Sequence, residues 1–154
     1  MTTGRDKRKL PATDDVLRVI LVDDISYPGF CRVILNRHAK EMTDLAPAER
    51  AQLMQTVFAV EQVLRDLLQP EKINLASLGN VVPHLHWHVI PRFRDDAHYP
   101  DPVWAVARRV PPARAVDADR LRSAVTAAMS RCSASRSKSL MTWPQRTRLF
   151  MARL

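Results

Sequence analysis

The spacing of apolar residues along the chain changes in a way that marks its elements. Val16 to Val22 is a largely β-branched run interrupted only by Arg18, the pattern of a buried strand. Asp23-Asp24 ends it, Tyr27-Pro28-Gly29 supplies a turn, and Phe30 to Leu35 forms a second strand, antiparallel to the first across the short loop. The period then lengthens. Leu53, Val57, Val60, Leu64 and Leu67 recur at helical spacing, and Met54, Phe58, Val63 and Leu68 widen the stripe. Pro47 suits a first helical position, Glu49 suits the first turn, and Pro70 ends the pattern, so a helix is predicted from about Pro47 to Leu68. Ile73 to Leu78 reads as a third strand and Gly79-Asn80 as a turn into a fourth. Two antiparallel pairs and one long helix make an α+β domain.

The fourth strand carries the densest pattern in the chain, Val81 to Arg92. His84, His86 and His88 alternate with Leu85, Trp87 and Val89. On a strand, residues i, i+2 and i+4 share a face. The histidines therefore form a row, with neighbouring Cα atoms roughly 6.6–6.8 Å apart. The apolar set turns toward the core. Pro83 and Pro91 are predicted to bracket this strand, outside its ladder.

After Arg92 the signal weakens. Residues 94–102 are polar and proline-rich, hence loop, with His98 among them. Trp104-Ala105-Val106-Ala107 is available to pack back on the core. Ala118 to Met129 reads as a helix, with Leu121, Val125 and Met129 four apart. Ser130 to Ser139 is low in complexity and expected to be disordered. Trp143 and Leu149-Phe150-Met151 are apolar in a basic context, either an interaction peptide or an end without a role. The organisation expected is a basic tail over 1–13, one domain over 14–110, and a C-terminal segment over 111–154, partly helical and then basic.

Composition narrows the classes. Apolar content of 46% is that of a globular protein, and no apolar run approaches the roughly 20 residues that span a bilayer. Met1 to Leu10 has no apolar segment behind its charges, so no secretory signal is expected and the chain reads as cytoplasmic. Cys31 and Cys132 match no metal spacing and are expected as free thiols. The net charge of +8 is concentrated at the ends. Residues 1–10 carry +3 and residues 131–154 carry +6, so residues 11–130 sum to −1. Nucleic-acid binding through these ends is a weaker reading than a solvated terminus.

Three readings of the histidine row compete. A structural row needs a partner for each ring nitrogen, which three adjacent imidazoles rarely find. Three histidines can ligate zinc, but no His-x-x-Glu-His or Cys-x-x-Cys pattern lies nearby. In the third reading a central imidazole attacks phosphorus while its neighbours fix its tautomer, neutralise phosphate oxygens and assist the leaving group. Gly79-Asn80-Val81, directly before the row, can present backbone N–H groups to a phosphate.

His84-Leu85-His86-Trp87-His88-Val89-Ile90 resembles the His-φ-His-φ-His-φ-φ motif of the histidine triad (HIT) family of nucleotide hydrolases and transferases, φ being apolar. Asn74, Gly79 to Pro83 and Ile90-Pro91-Arg92 give it similar surroundings, and the resemblance covers roughly residues 16–105. It implies a HIT-like antiparallel sheet with one long helix packed on it, in a homodimer that joins its sheets at an edge. It implies a covalent nucleotidyl-histidine at His86, formed by attack on an α-phosphate and released by water as a nucleoside monophosphate. In that scheme His88 contacts phosphate oxygens and His84 orients His86, backed by His38. Asn74 reaches the phosphate or the leaving side, Gly79 and Val81, with Asn80 between them, offer backbone N–H groups to the phosphate, and Asp23 takes the ribose hydroxyls. No metal site and no cofactor are implied, although Mg²⁺ can arrive with a polyphosphate substrate. The candidate substrates are dinucleoside polyphosphates and nucleotide phosphoramidates, with the former favoured. A zinc-dependent hydrolase and a nucleotide- or RNA-binding module remain as alternatives. Two features depart from the family. Phe30 stands where many members have a histidine, which leaves the leaving group open, and the N-terminal Cys-x-x-Cys metal site of some members is absent.

Overall fold

A computed structural model describes residues 9–141 of the chain. Five strands form one antiparallel sheet: β1 (Lys9–Thr13), β2 (Leu17–Leu21), β3 (Cys31–Leu35), β4 (Lys72–Ala76) and β5 (His86–Arg92). Their spatial order is β1-β2-β3-β5-β4. Two helices, α1 (Pro47–Leu68) and α2 (Ala118–Met141), complete the fold. α1 lies on β3 and β5, while α2 packs against α1 and reaches β1. This is the α+β architecture that the periodicities predict. No described helix is long and apolar enough to cross a membrane.

The core forms where the two periods meet. Leu17 and Val19 of β2, Val33 and Leu35 of β3, and Val89 of β5 present alternate side chains to Leu53, Val57, Val60 and Leu64 of α1. Leu121 and Val125 of α2 join the same cluster. α1 has the predicted bounds, with Pro47 in its first turn and Gln69 closing it in the left-handed conformation (φ 48°). The opposite sheet face carries no helix among the described residues. Tyr27, Phe30 and Ile90 make a second, smaller cluster there, against Val103 of the loop after β5. Gly29 (φ 89°) turns the chain from β2 into β3. A Cβ on it would meet Leu68 Cδ1 at 2.5 Å, so both backbone and packing demand glycine.

Several expectations need correction. Residues 9–13, read as tail, pair with β2, because ladder hydrogen bonds need only backbone and ask for no apolar alternation. The histidine strand begins at His86; His84 stands before the ladder, in a turn closed by His84 N–H on the Val82 carbonyl (2.7 Å). Pro91 lies inside β5, opposite Ile73. It fits because β3 stops pairing at Cys31–Val89, which leaves that end of β5 bonded on one side only. β4 ends at Ala76, two residues short of Leu78. Trp104 is 69% exposed and Phe58 54% exposed, so neither belongs to the core. α2 runs through the serine-rich segment expected to be disordered; that stretch contains no glycine or proline to break it. Trp143 and Leu149-Phe150-Met151 lie outside the described residues.

A buried ion pair pins the loop after β5. Arg92 and Asp96 are each 3% exposed. Arg92 donates Nε–H and Nη2–H to the two carboxylate oxygens (2.7 and 3.0 Å), Nη2–H to the Asp101 carbonyl and Nη1–H to Asn74 Oδ1 (2.7 Å). Asp96 also accepts from the N–H groups of Phe93, His98 and Tyr99. Burial alone would raise the carboxyl pKa; the Arg92 hydrogen bond and those backbone donors outweigh it and hold it below the usual value. The contribution to stability is thus present above the unfolded-state pKa of aspartate and is lost as pH falls through the lower folded value. Asp96→Asn leaves the buried guanidinium without its counter-charge, and we expect a loss of roughly 3–5 kcal/mol in urea unfolding at pH 7. The gap should narrow on acidification. A loss under about 1 kcal/mol at pH 7 would place the pair in the class of weak surface bridges instead.

Candidate active site

The helix-free face of the sheet brings the histidines together with residues that the motif alone does not name. β3 and β5 pair so that Ile34 stands opposite His86 and Arg32 opposite His88. Arg18 of β2 pairs with Ile34 and shares their face. The loop from Leu78 to Val82 closes the far side. The result is an open cavity of about 510 Å³, lined by His84, His86, His88, Arg18, Arg32 and Gly79 among others, with no aspartate or glutamate among the described residues of its walls.

The ring contacts define each histidine. His86 Nδ1 lies 2.6 Å from the His84 carbonyl oxygen, which can only accept, so Nδ1 carries the proton. Nε2 of a neutral His86 is then left with a free lone pair. The ring of His84 is fixed in the same way. Its Nε2–H donates to the Leu35 carbonyl (2.7 Å), and its Nδ1 faces His38 Nδ1 at 3.3 Å, with the two rings stacked 5.5 Å apart. His38 is exposed at the end of β3 and supports His84 from outside. His88 lies 4.9 Å from the His86 ring and 5.3 Å from the Phe30 ring, centroid to centroid. Burial pushes the His88 pKa down to about 4, with the charges of Arg32 and His86 acting in the same direction. His88 is thus neutral at neutral pH, and its buried Nε2 has no hydrogen-bond partner among the described residues.

The remaining sequence candidates divide. Gly79, Asn80 and Val81 line the cavity, and their N–H groups donate to no other described residue. Asn74 lies on the same sheet face, paired with Ile90, but in a neighbouring groove with Trp104, and its Oδ1 is held by Arg92. Asp23 is exposed beyond β2 and lines a separate cavity with Ile25 and Arg114; the structure does not bring it to the histidines. Among the described residues, no three His, Cys, Asp or Glu side chains are grouped to hold one metal ion.

Sequence reading missed Arg32 and Arg18. Each interrupts an apolar strand at an alternate position, which signals a side chain on the non-core face. Only the β3–β5 register shows that the face is shared with His88.

Comparison with known proteins agrees with this geometry. Residues 5–95 match the model of the HIT domain. The asymmetrical bis(5'-nucleosyl)-tetraphosphatase of Schizosaccharomyces pombe is 32% identical over 83 residues, 51% of this chain and 46% of that protein. The AP-4-A phosphorylase of Mycobacterium tuberculosis is 31% identical over 78 residues, 47% of this chain and 40% of that protein. The chain thus spans less than half the length of these curated relatives. Among solved structures, a histidine triad protein from Bradyrhizobium japonicum is 32% identical with a TM-score of 0.61, covering 85% of this chain and 95% of that one. A HIT protein from Sinorhizobium meliloti is 28% identical with a TM-score of 0.61, covering 80% and 87%. With a family match over more than half its length and the histidine row seated in the same fold, the chain belongs to the histidine triad family.

Proposed function

We propose that the protein is a nucleotide hydrolase that attacks an α-phosphate with His86 and passes through a covalent nucleotidyl-histidine. The observation that carries this reading is the 2.6 Å hydrogen bond from His86 Nδ1–H to the His84 carbonyl. It fixes the tautomer that leaves Nε2 nucleophilic and aims the ring along the sheet face. In the first displacement the Nε2–P bond forms and the bond from phosphorus to the leaving group breaks. In the second, water adds to phosphorus, the N–P bond breaks and a nucleoside monophosphate departs. The amides of Gly79, Asn80 and Val81 suit developing charge on the phosphate oxygens, and neutral His88 offers a further hydrogen bond. Among the described residues the cavity wall has no carboxylate to repel an anion.

For the substrate, dinucleoside polyphosphates are favoured over nucleotide phosphoramidates. The support comes from the names of the two curated relatives, a tetraphosphatase and an AP-4-A phosphorylase, each similar over part of its length. Asp23 and Asn74 have no place in this first displacement, because neither reaches the histidine cavity.

Brief mixing with diadenosine tetraphosphate followed by intact-protein mass spectrometry tests the scheme. Wild type should gain the mass of one adenylyl group and His86→Ala should gain none. His88→Asn should still form the adduct, at a rate lower by on the order of 100-fold, the cost of one lost hydrogen bond to developing charge. An adduct on His86→Ala, or turnover by wild type without any adduct, would remove the covalent scheme.

Because His88 is neutral well below its ordinary range, it takes up its proton only near pH 4. The unfolded chain binds that proton at higher pH, so stability falls as pH drops from about 6.5 toward 4. His88→Gln lacks the effect. The difference between urea midpoints at pH 7 and pH 4.5 should accordingly be smaller in His88→Gln than in wild type. Equal differences would show that His88 is not held neutral.

A further inference from the structure

Arg32 differs from Arg92 and Arg18, the other arginines on this face of the sheet. Arg92 is enclosed by Asp96, Asn74 and the Asp101 carbonyl, and Arg18 donates to Asn36 Oδ1 (3.0 Å) and the Leu35 carbonyl. Arg32 has no ion pair and no hydrogen bond among the described residues. Its guanidinium carbon lies 5.3 Å from the centroid of the Phe30 ring, and its Nε is buried without a partner. His88, its ladder neighbour, has an equally orphaned Nε2. Those are the two buried side-chain polar atoms without partners among the described residues, and both belong to residues that line one cavity. Leaving a buried polar atom unsatisfied is costly, and a structural arginine avoids that by pairing, as Arg92 does. Phe30 holds the guanidinium by its face, which leaves the N–H groups of the fork in its plane free for a ligand.

Among the described residues the cavity has an unpaired guanidinium, a second arginine, free backbone amides and no acid. It suits an anion bearing more than one charge, and the planar fork of arginine matches phosphate oxygens two at a time. Building on the covalent scheme above, we propose that Arg32 is a specificity-determining residue. Its guanidinium binds the phosphate chain beyond the phosphorus that His86 attacks, so the site selects a polyphosphate leaving group over an amine. The chemistry of departure agrees. When the P–O bond breaks, its electron pair goes to the bridging oxygen, and the phosphate chain departs as an anion whose charge Arg32 neutralises. When a P–N bond breaks, the amine needs a proton. His88, kept neutral by burial and by Arg32 itself, is no effective general acid near pH 7. One cation thus assists the first departure and hinders the second.

Titration calorimetry with inorganic tripolyphosphate and with AMP, on wild type and Arg32→Met, tests the assignment without any turnover. Arg32→Met should weaken tripolyphosphate by about tenfold or more, the worth of hydrogen bonds to a charged group, and AMP by much less. The ratio of kcat/KM for diadenosine tetraphosphate to that for adenosine 5'-phosphoramidate should fall by about tenfold as well. Arg32→Lys, which keeps the charge and loses the fork, should fall between. Should Arg32→Met fail to fold, Arg32→Gln makes the same comparison. Equal weakening of both ligands would make Arg32 a general support of the site. Unchanged tripolyphosphate binding, or none by wild type, would overturn the assignment outright. If wild type binds tripolyphosphate through Arg32 yet forms no adduct, the covalent scheme fails while the anion assignment stands.

Discussion

The bond from His86 Nδ1–H to the His84 carbonyl is the constraint on which the site depends. A side chain in the middle of a ladder does not reach the carbonyl two residues back, because that carbonyl points to a neighbouring strand. Here β5 begins at His86, so the His84 carbonyl is free of the ladder. What keeps it in place is local. His84 N–H closes a turn on Val82, Leu85 N–H donates to the Ala39 carbonyl (2.8 Å), and Leu35 N–H donates to the Leu85 carbonyl (3.3 Å). The chain is thereby stitched to the segment leaving β3, and Leu85 is buried beside it. The imidazole of His84 adds a further stitch to Leu35. Two histidines of the row thus serve one purpose: the backbone of one sets the tautomer of the other, and its ring fixes that backbone.

The other end of β5 is held with equal care by different means. Arg92 and Asp96 close a network that includes Asn74 on β4 and the Asp101 carbonyl in the following loop. Tyr27, in the turn between β2 and β3, contacts Arg92 by its ring face and hydrogen-bonds His98 through its hydroxyl. The loop after β5 is therefore fastened both to the β2–β3 turn and to the edge strand. β5 carries the histidines between two anchored ends, which is the rigid support that a site of fixed geometry requires. Pro91 is compatible with this role only because β3 has stopped pairing there.

How much of this the sequence displays depends on the kind of force involved. α1 is legible to the residue because its stripe, its first-turn proline and the following Pro70 all agree. β2, β3 and β5 are legible because each has one face in the core. β1 is not, since Lys-Leu-Pro-Ala-Thr shows no alternation and its place in the sheet is secured by backbone bonds to β2. The serine-rich end of α2 misleads for a related reason: low complexity is a statement about composition, while the helix continues from a stretch already docked by Leu121 and Val125. In the site, His86 and His88 are legible because period 2 states their geometry, whereas His84 stands before the ladder. The position of Asp23 is not legible, because it follows from where a loop turns rather than from any period. Asn74 faces the correct side of the sheet, yet the partner that takes its carbonyl oxygen is eighteen residues away and buried.

Arg32 shows where strand period and register must be combined. Its alternate position in β3 sends it to the helix-free face, but a charge on such a face is ordinary when the face is open to water. What changes its meaning is the pairing with His88 and the ring of Phe30 beneath it. Together these fix a cation beside an imidazole that burial already keeps neutral. A protonated His88 would repel Arg32, and a carboxylate beside Arg32 would repel the phosphate of a nucleotide. The arrangement observed avoids both, at the cost of two buried polar atoms left without partners among the described residues. A phosphate oxygen supplies an acceptor for the guanidinium, and for His88 when Nε2 carries the proton, so the same anion can satisfy both at once.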